Sequence, residues 1–284
     1  MYEYNSKEKT INEESKKSKI KGIANNEILY SYNLKHKNLI KMYGYYTMDK
    51  SFGLVLEYAG GKDLNHFQAL FKKNLIFKRN NINELDSQGR YLDWKLNYLG
   101  EYVLKFFFIQ MIEALKYLKH MNVVHRDLKL ENVFLMRNFQ VKKGDLAFAK
   151  TVKPNEMVKA SGSGTLVYMS PELFSNKVLN AENSFKQDYF ALGIMLIKLS
   201  TFEFPLDKSV SDDKSKLSYD IVKNSVNEQK LKNLLIKHRG ENKEFIKLIL
   251  GLLDPDENTR FNINDILKNN WVSKEDKKRI KGIY

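Results

Sequence analysis

The sequence predicts an α+β fold with two unequal lobes: a small one that joins a helix to a few strands, and a larger one that is mostly helical. Three observations carry this. Two apolar runs of alternating character, LIKMYGYYT at 39–47 and FGLVLEY at 52–58, sit early in the chain, and period-two alternation marks a half-buried strand. From 101 to 120 apolar residues recur at i, i+3 and i+4, the spacing of one helix face. Beyond 183 every segment reads as helix or connector. Strands gathered early and helices gathered late give an α+β chain rather than an alternating α/β one.

Taken in order, residues 13–35 read as a helix ending in NLKHKNL. MDKS turns the chain between the two strands, and AGG at 59–61 breaks the pattern as a hinge does. The expected division is a partial small lobe over 1–56, a hinge over 57–62 and a helical large lobe over 63–284. Residues 70–100 carry little periodicity and read as an inserted loop. In the helix at 101–120, Val103, Phe107, Gln110, Met111, Ala114, Tyr117 and Leu118 fall on one face. Short apolar strands follow at 122–124 and 133–136, and the small-residue stretch KASGSGTL at 159–166 reads as a loop. No repeat recurs at a solenoid period.

Composition narrows the function. With 43% hydrophobic residues among 284, the chain has enough apolar surface to fold. The absence of cysteine excludes disulfides, cysteine-bound zinc and thiol nucleophiles, and fits a cytoplasmic location. The start, MYEYNSKEKTINEESKKSK, lacks the apolar stretch of a signal peptide. The apolar run FALGIMLIKL at 190–199 is too short to span a bilayer and reads as a buried core helix, so no membrane partner is expected. The net charge of +14 comes from lysines scattered through almost every segment. Nucleic-acid binding needs such charge clustered, so it is not expected, whereas attraction to anions follows from the overall field.

The chemistry gathers at HRDLKLEN, 125–132, on a short loop between two strands. Phosphoryl transfer asks for positioning and charge neutralisation more than covalent work. Asp127 has the reach and chemistry to orient or accept a hydroxyl proton, and Lys129 to neutralise a transferring phosphate. Asn132 and Asp145, an amide oxygen and a carboxylate, suit Mg²⁺, a hard cation that prefers oxygen. Any one of these residues alone fits an ordinary surface turn. The ordered set does not.

On these motifs the chain resembles the eukaryotic protein kinase family, from about residue 27 to 275, and the resemblance implies a bilobal kinase-like fold that uses Mg·ATP. It implies Asp127 as catalytic base, Lys129 on phosphate, and Asn132 with Asp145 on metal. By the same resemblance Glu27 pairs with the ATP-anchoring lysine, Leu56 is the gatekeeper, backbone groups of Glu57 and Ala59 bind adenine, and Asp63 lies near the ribose. GTLVYMSPE at 164–172 resembles the substrate-binding loop, with Ser170 in the place of an alanine; Glu172 is expected to pair with Arg260 and Asp188 to brace the catalytic loop. Lys129 and Thr165 together resemble the serine/threonine kinases. Glu131 before Asn132 resembles a CaMK- or AGC-like branch favouring basic residues near the phosphosite, although a solvated glutamate reads equally well. Arg126 implies capture of a phosphate on the activation segment, with Thr151, Ser161 and Ser163 as candidates.

Two departures stand out. The first glycine is Gly22, so no glycine-rich loop precedes the expected lysine, for which Lys9 is chosen over Lys7. The small lobe therefore lacks at least its first two strands, or they lie outside this chain. The family's Asp-Phe-Gly is written Asp145-Leu146-Ala147. Its metal ligand remains. Ala147 costs on the order of 1 kcal/mol if a left-handed backbone is needed there and nothing otherwise. The expected function is a serine/threonine protein kinase acting on protein hydroxyls. The alternative is a pseudokinase scaffold without the glycine-rich loop.

Overall fold

The early alternating runs pair as a hairpin. A computed structural model describes residue 22 and residues 24–48, 51–81, 99–160, 164–175, 177–205 and 218–272. Strand β1 (Met42–Met48) runs antiparallel to β2 (Ser51–Leu56), with Met42 opposite Leu56 and a bulge at the start of the pair. Helix α1, over residues 24–33, precedes the hairpin and is the described part of the helix expected at 13–35. Between them residues 38–40 lie along the large lobe: Ile40 N donates to Lys143 O and Lys143 N to Asn38 O.

Helix α2 (Leu64–Asn81) corrects the reading of 70–100 as a loop, because residues 70–81 continue the helix and only 82–98 fall outside the described residues. The pattern that sets it, Leu64, Phe67, Gln68 and Phe71, begins before 70, and lysines blur it afterwards. Asp63 fixes its start, its carboxylate accepting from His66 N at 2.8 Å. Helix α3 (Glu101–His120) lies where expected but is buried more widely than one stripe. Leu104, Phe106, Phe108, Ile112 and Leu115 are buried along with Phe107, Met111, Ala114 and Leu118, while Val103, Gln110 and Tyr117 are half-buried.

Short strands then flank the 125–132 loop: β3 (Val123–Val124), β4 (Val133–Leu135), β5 (Val141–Lys143) and β6 (Lys150–Thr151), pairing antiparallel as β3 with β6 and β4 with β5. Strands β7 (Val158–Lys159) and β8 (Val178–Leu179) pair beyond them. The core helix α4 (Ala181–Thr201) is buried along nearly its whole length, as FALGIMLIKL predicts. Its Asn180 cap accepts from Asn183 N. Around it pack α3, α6 (Glu228–Arg239) and α7 (Lys243–Leu252), with α5 (Tyr219–Ser225) and α8 (Ile263–Lys268) at the periphery. The fold is a helix-rich, bilobal α+β one. Among the described residues no helix is long and apolar enough to cross a membrane.

Candidate active site

The β4–β5 hairpin brings the two expected metal ligands together. Val133 pairs with Lys143, so Asn132 just before one strand meets Gly144 just after the other, and Gly144 N donates to Asn132 O at 3.0 Å. Asp145 is the next residue, and Asn132 Nδ2 reaches its Oδ2 at 3.3 Å. Asn132 Nδ2 also donates to the main-chain oxygen of Asp127 at 3.0 Å and to its Oδ2 at 3.1 Å. Three residues separated in sequence thus converge on one point. A carboxylate and an amide oxygen suit a magnesium ion that keeps water or phosphate oxygens in its remaining positions.

Asp127 is buried, and both oxygens of its carboxylate accept hydrogen bonds. Oδ2 accepts from Lys129 Nζ at 2.7 Å; Oδ1 accepts from Thr165 N at 2.8 Å and from Thr165 Oγ1 at 2.9 Å. Lys129 Nζ also donates to Thr165 Oγ1 at 3.0 Å. A threonine hydroxyl, a carboxylate and an ammonium therefore form one cluster, so an incoming hydroxyl meets both a proton acceptor and a cation. Gly164 makes this approach possible. Its φ is +100°, and a Cβ there would lie 2.5 Å from Arg126 O and 2.9 Å from Asp127 Oδ1.

The loop itself is held from α4. Asp188 accepts from His125 N at 2.7 Å and Arg126 N at 2.9 Å. Two adjacent backbone donors on one buried carboxylate hold Arg126 at φ +70°, a conformation that costs a non-glycine residue energy. His125 is fully buried, and burial pushes its pKa well below the usual imidazole range, with Lys143 adding to the effect. Its contacts agree with a neutral ring: Nδ1 accepts from Asp127 N, so Nε2 carries the proton it donates to Gly144 O at 3.2 Å. The expected Glu172–Arg260 pair is present and fully buried, with bonds of 2.7 and 2.8 Å, and Ser170 Oγ adds a third donor to Glu172 at 2.7 Å.

Other expected residues are placed less simply. Leu56 ends β2 partly exposed. Glu57 N donates to Lys41 O and its side chain pairs with Lys142 Nζ at 2.8 and 2.9 Å. Among the described residues, the Glu57 carbonyl and the Ala59 N–H make no backbone hydrogen bond, which leaves one acceptor and one donor open in the hinge. Asp63 uses a carboxylate oxygen as the cap of α2. Glu27 lies on α1 with no ion pair among the described residues; burial, then the charge of Asp145, raises its pKa. Lys9, Lys7, Ser161 and Ser163 lie outside the described residues. Ala147 is not among the residues of positive φ; Asp145 is, at +57°. The left-handed turn of the DLA segment therefore falls on the aspartate, and Leu146, 4% exposed, belongs to the core.

Two features escaped the sequence reading. Lys143, 2% exposed, has no hydrogen-bond partner for its Nζ. Burial lowers its pKa to about 7 against the opposing pull of Asp188 and Asp127. The signal was present, since alternation along β5 sets Lys143 on the same buried face as Val141. Asn26 and Tyr30 on α1 bond to residues 147–151, contacts that no local pattern encodes. A groove of about 810 Å³ between α5, α6, α7 and residues 253–261 shares no residue with the catalytic loop.

The chain matches the protein kinase domain family over residues 6–272. It belongs to that family. Among its relatives, the chain is 38% identical to mouse serine/threonine-protein kinase Nek4 over 40% of this chain and 14% of that protein. It is 26% identical to an Aurora kinase of Schizosaccharomyces pombe over 90% of this chain and 61% of the other. A second Aurora kinase, from Eremothecium gossypii, is 26% identical over 87% of this chain and 56% of the other. The chain spans less than two thirds of the length of these relatives. Their names point to Nek and Aurora kinases, so the expected CaMK- or AGC-like branch finds no support among them.

Proposed function

We propose that the chain is a serine/threonine protein kinase that transfers the ATP γ-phosphate to protein hydroxyls. The observation that carries this reading is the cluster in which Asp127, Lys129 and Thr165 hydrogen-bond one another beside the Asn132–Asp145 pair. In it Asp127 orients and accepts the substrate hydroxyl proton, while Lys129 offsets charge on the moving phosphate. Asn132 and Asp145 would hold Mg²⁺, which neutralises phosphate charge when bound. The open hinge groups at Glu57 and Ala59 would take the adenine, beside the gatekeeper Leu56 and with Asp63 near the ribose.

Names among the relatives favour a Nek- or Aurora-like kinase. Exposed Glu131 supports a preference for substrates with basic residues near the phosphosite. Thr151 and the serines at 161 and 163 are our candidates for a phosphate captured near Arg126. A cytoplasmic location is our reading of the cysteine-free composition, and cell fractionation tests it. No observation favours the pseudokinase alternative.

Mg²⁺-dependent transfer from labelled ATP to a basic protein substrate tests the function, with Asp127→Asn as control. Loss of on the order of 10²-fold or more in the control is expected. Equal transfer by both proteins would overturn the role of Asp127. Absence of transfer by the parent would overturn the kinase reading.

A further inference from the structure

Helix α1 does more than carry Glu27. Asn26 Nδ2 donates to Ala147 O at 2.9 Å and to Ala149 O at 2.8 Å, spending both amide hydrogens on the segment that follows Asp145. One helical turn later the Tyr30 hydroxyl accepts from Thr151 N at 2.7 Å and lies 3.0 Å from Thr151 Oγ1. The spacing is a geometric match. Four residues of helix advance about 6 Å, and two residues of extended chain, Ala149 to Thr151, advance about 6.6 Å. The helix thus reads the segment through side chains much as a neighbouring strand would through its backbone.

Charge works against this approach. Glu27 lies between the two residues on α1 and feels the charge of Asp145, so among the described residues the acids of the two elements repel. The attachment rests on neutral groups. At the other edge of the segment, Thr151 and Lys150 pair with β3, directly before the catalytic loop, and Val152 N donates to Asn122 O. The residues after Asp145 are therefore held between α1 and the catalytic loop.

We propose that Asn26 and Tyr30 are positioning residues that dock α1 onto residues 147–151 and so hold the Asp145 carboxylate in register with Asn132 and Asp127. Neither touches the reacting atoms; both act through the backbone that leads out of Asp145. The activity consequence rests on the kinase reading above, whereas the docking itself does not.

Isosteric changes test it. Tyr30→Phe removes one oxygen, and Asn26→Asp turns a double donor into an acceptor facing two carbonyls. Amide hydrogen exchange is measured first on the whole chain. In Tyr30→Phe the Thr151 amide is expected to exchange at least about tenfold faster, with α4 unchanged. In kinetic assays both variants are expected to raise the Mg²⁺ concentration for half-maximal rate and lower kcat by about tenfold, with KM for the protein substrate unchanged. Tyr30→Phe and Thr151→Val are expected to be non-additive, since each breaks the contact between the Tyr30 and Thr151 hydroxyls. Asn26→Gln, which keeps both donors, is expected to recover part of the rate.

Unchanged exchange across 145–151 in Tyr30→Phe overturns the docking. Faster exchange with unchanged Mg²⁺ dependence overturns the positioning role. If the parent transfers no phosphate, the kinase reading fails, and the exchange measurement still decides the docking. Should Asn26→Asp fail to fold, Tyr30→Phe carries the test alone.

Discussion

At the scale of single residues, the DLA segment shows how little a motif letter reveals without its backbone. Asp145 takes the left-handed conformation at φ +57°, and Ala147 does not need one. The alanine methyl is buried, with 8% of the residue exposed. Ala147→Gly, which restores the family's letter, is therefore expected to destabilise the fold by about 1 kcal/mol through lost burial and added backbone freedom, without raising kcat. Denaturant unfolding together with initial rates checks this; a gain in either contradicts it. Lys143 poses the opposite case, a cation where the pattern calls for an apolar side chain. Unfolded, it binds a proton below about 10.5; folded, only below about 7. Between these values the unfolded state holds the extra proton, so stability rises with pH at about 1.4 kcal/mol per unit. The contribution is complete above the upper value and lost as pH falls toward 7. Lys143→Met is expected to be more stable than the parent at pH 7.5 and to lack the rise between pH 7.5 and 9.5. Guanidinium unfolding across that window measures both.

At the scale of elements, short strands govern the site more than long helices do. The three-residue strands β4 and β5 are enough to place Asn132 beside Asp145, because antiparallel register is fixed once one pair of residues faces another. The two expected metal ligands were legible in the sequence because they sit at the ends of this one hairpin. Helix α2 was not fully legible: its apolar spacing fades into the lysine-rich second half, and the cap that starts it, Asp63, reads equally well as a ligand-binding residue. Asp63→Ala is expected to lower stability by about 1 kcal/mol through loss of the bond to His66 N, whatever it does to nucleotide affinity. Thermal unfolding without nucleotide isolates that effect. A variant as stable as the parent would refute the cap.

At the scale of the whole molecule, three sets of long-range polar ties hold the 125–132 loop and its neighbours in place. Asp188 reaches back from α4 to the backbone of residues 125 and 126. Asn26 and Tyr30 reach forward from α1. Arg260 joins the Pro171–Phe174 turn to the loop before α8: it pairs with Glu172, donates from Nε to Asp254 O at 2.8 Å and sits 5.0 Å over the Phe190 ring. Breaking such a pair strands a buried charge, so Arg260→Met is expected to cost about 3–5 kcal/mol, seen as a lower unfolding midpoint in denaturant. An effect below 1 kcal/mol would place the pair among ornamental ones.

By itself, the sequence determined which polar groups the 125–132 loop carries. Asp127, Lys129 and Asn132 lie within eight residues, where covalent spacing alone limits how far apart they can be, and Asp145 follows from the hairpin that this spacing begins. It also determined the fold class, since apolar period reports which faces must leave water. Tertiary structure decided the rest: that Lys143 is buried near the Asp127 and Asp188 carboxylates, and that α1 docks through Asn26 and Tyr30. The Asn26 and Tyr30 contacts join positions 121 to 123 residues apart, and the burial of Lys143 depends on what fills the space beside it. Periodicity tells a residue that it faces inward. Only the packed molecule tells it what it meets there.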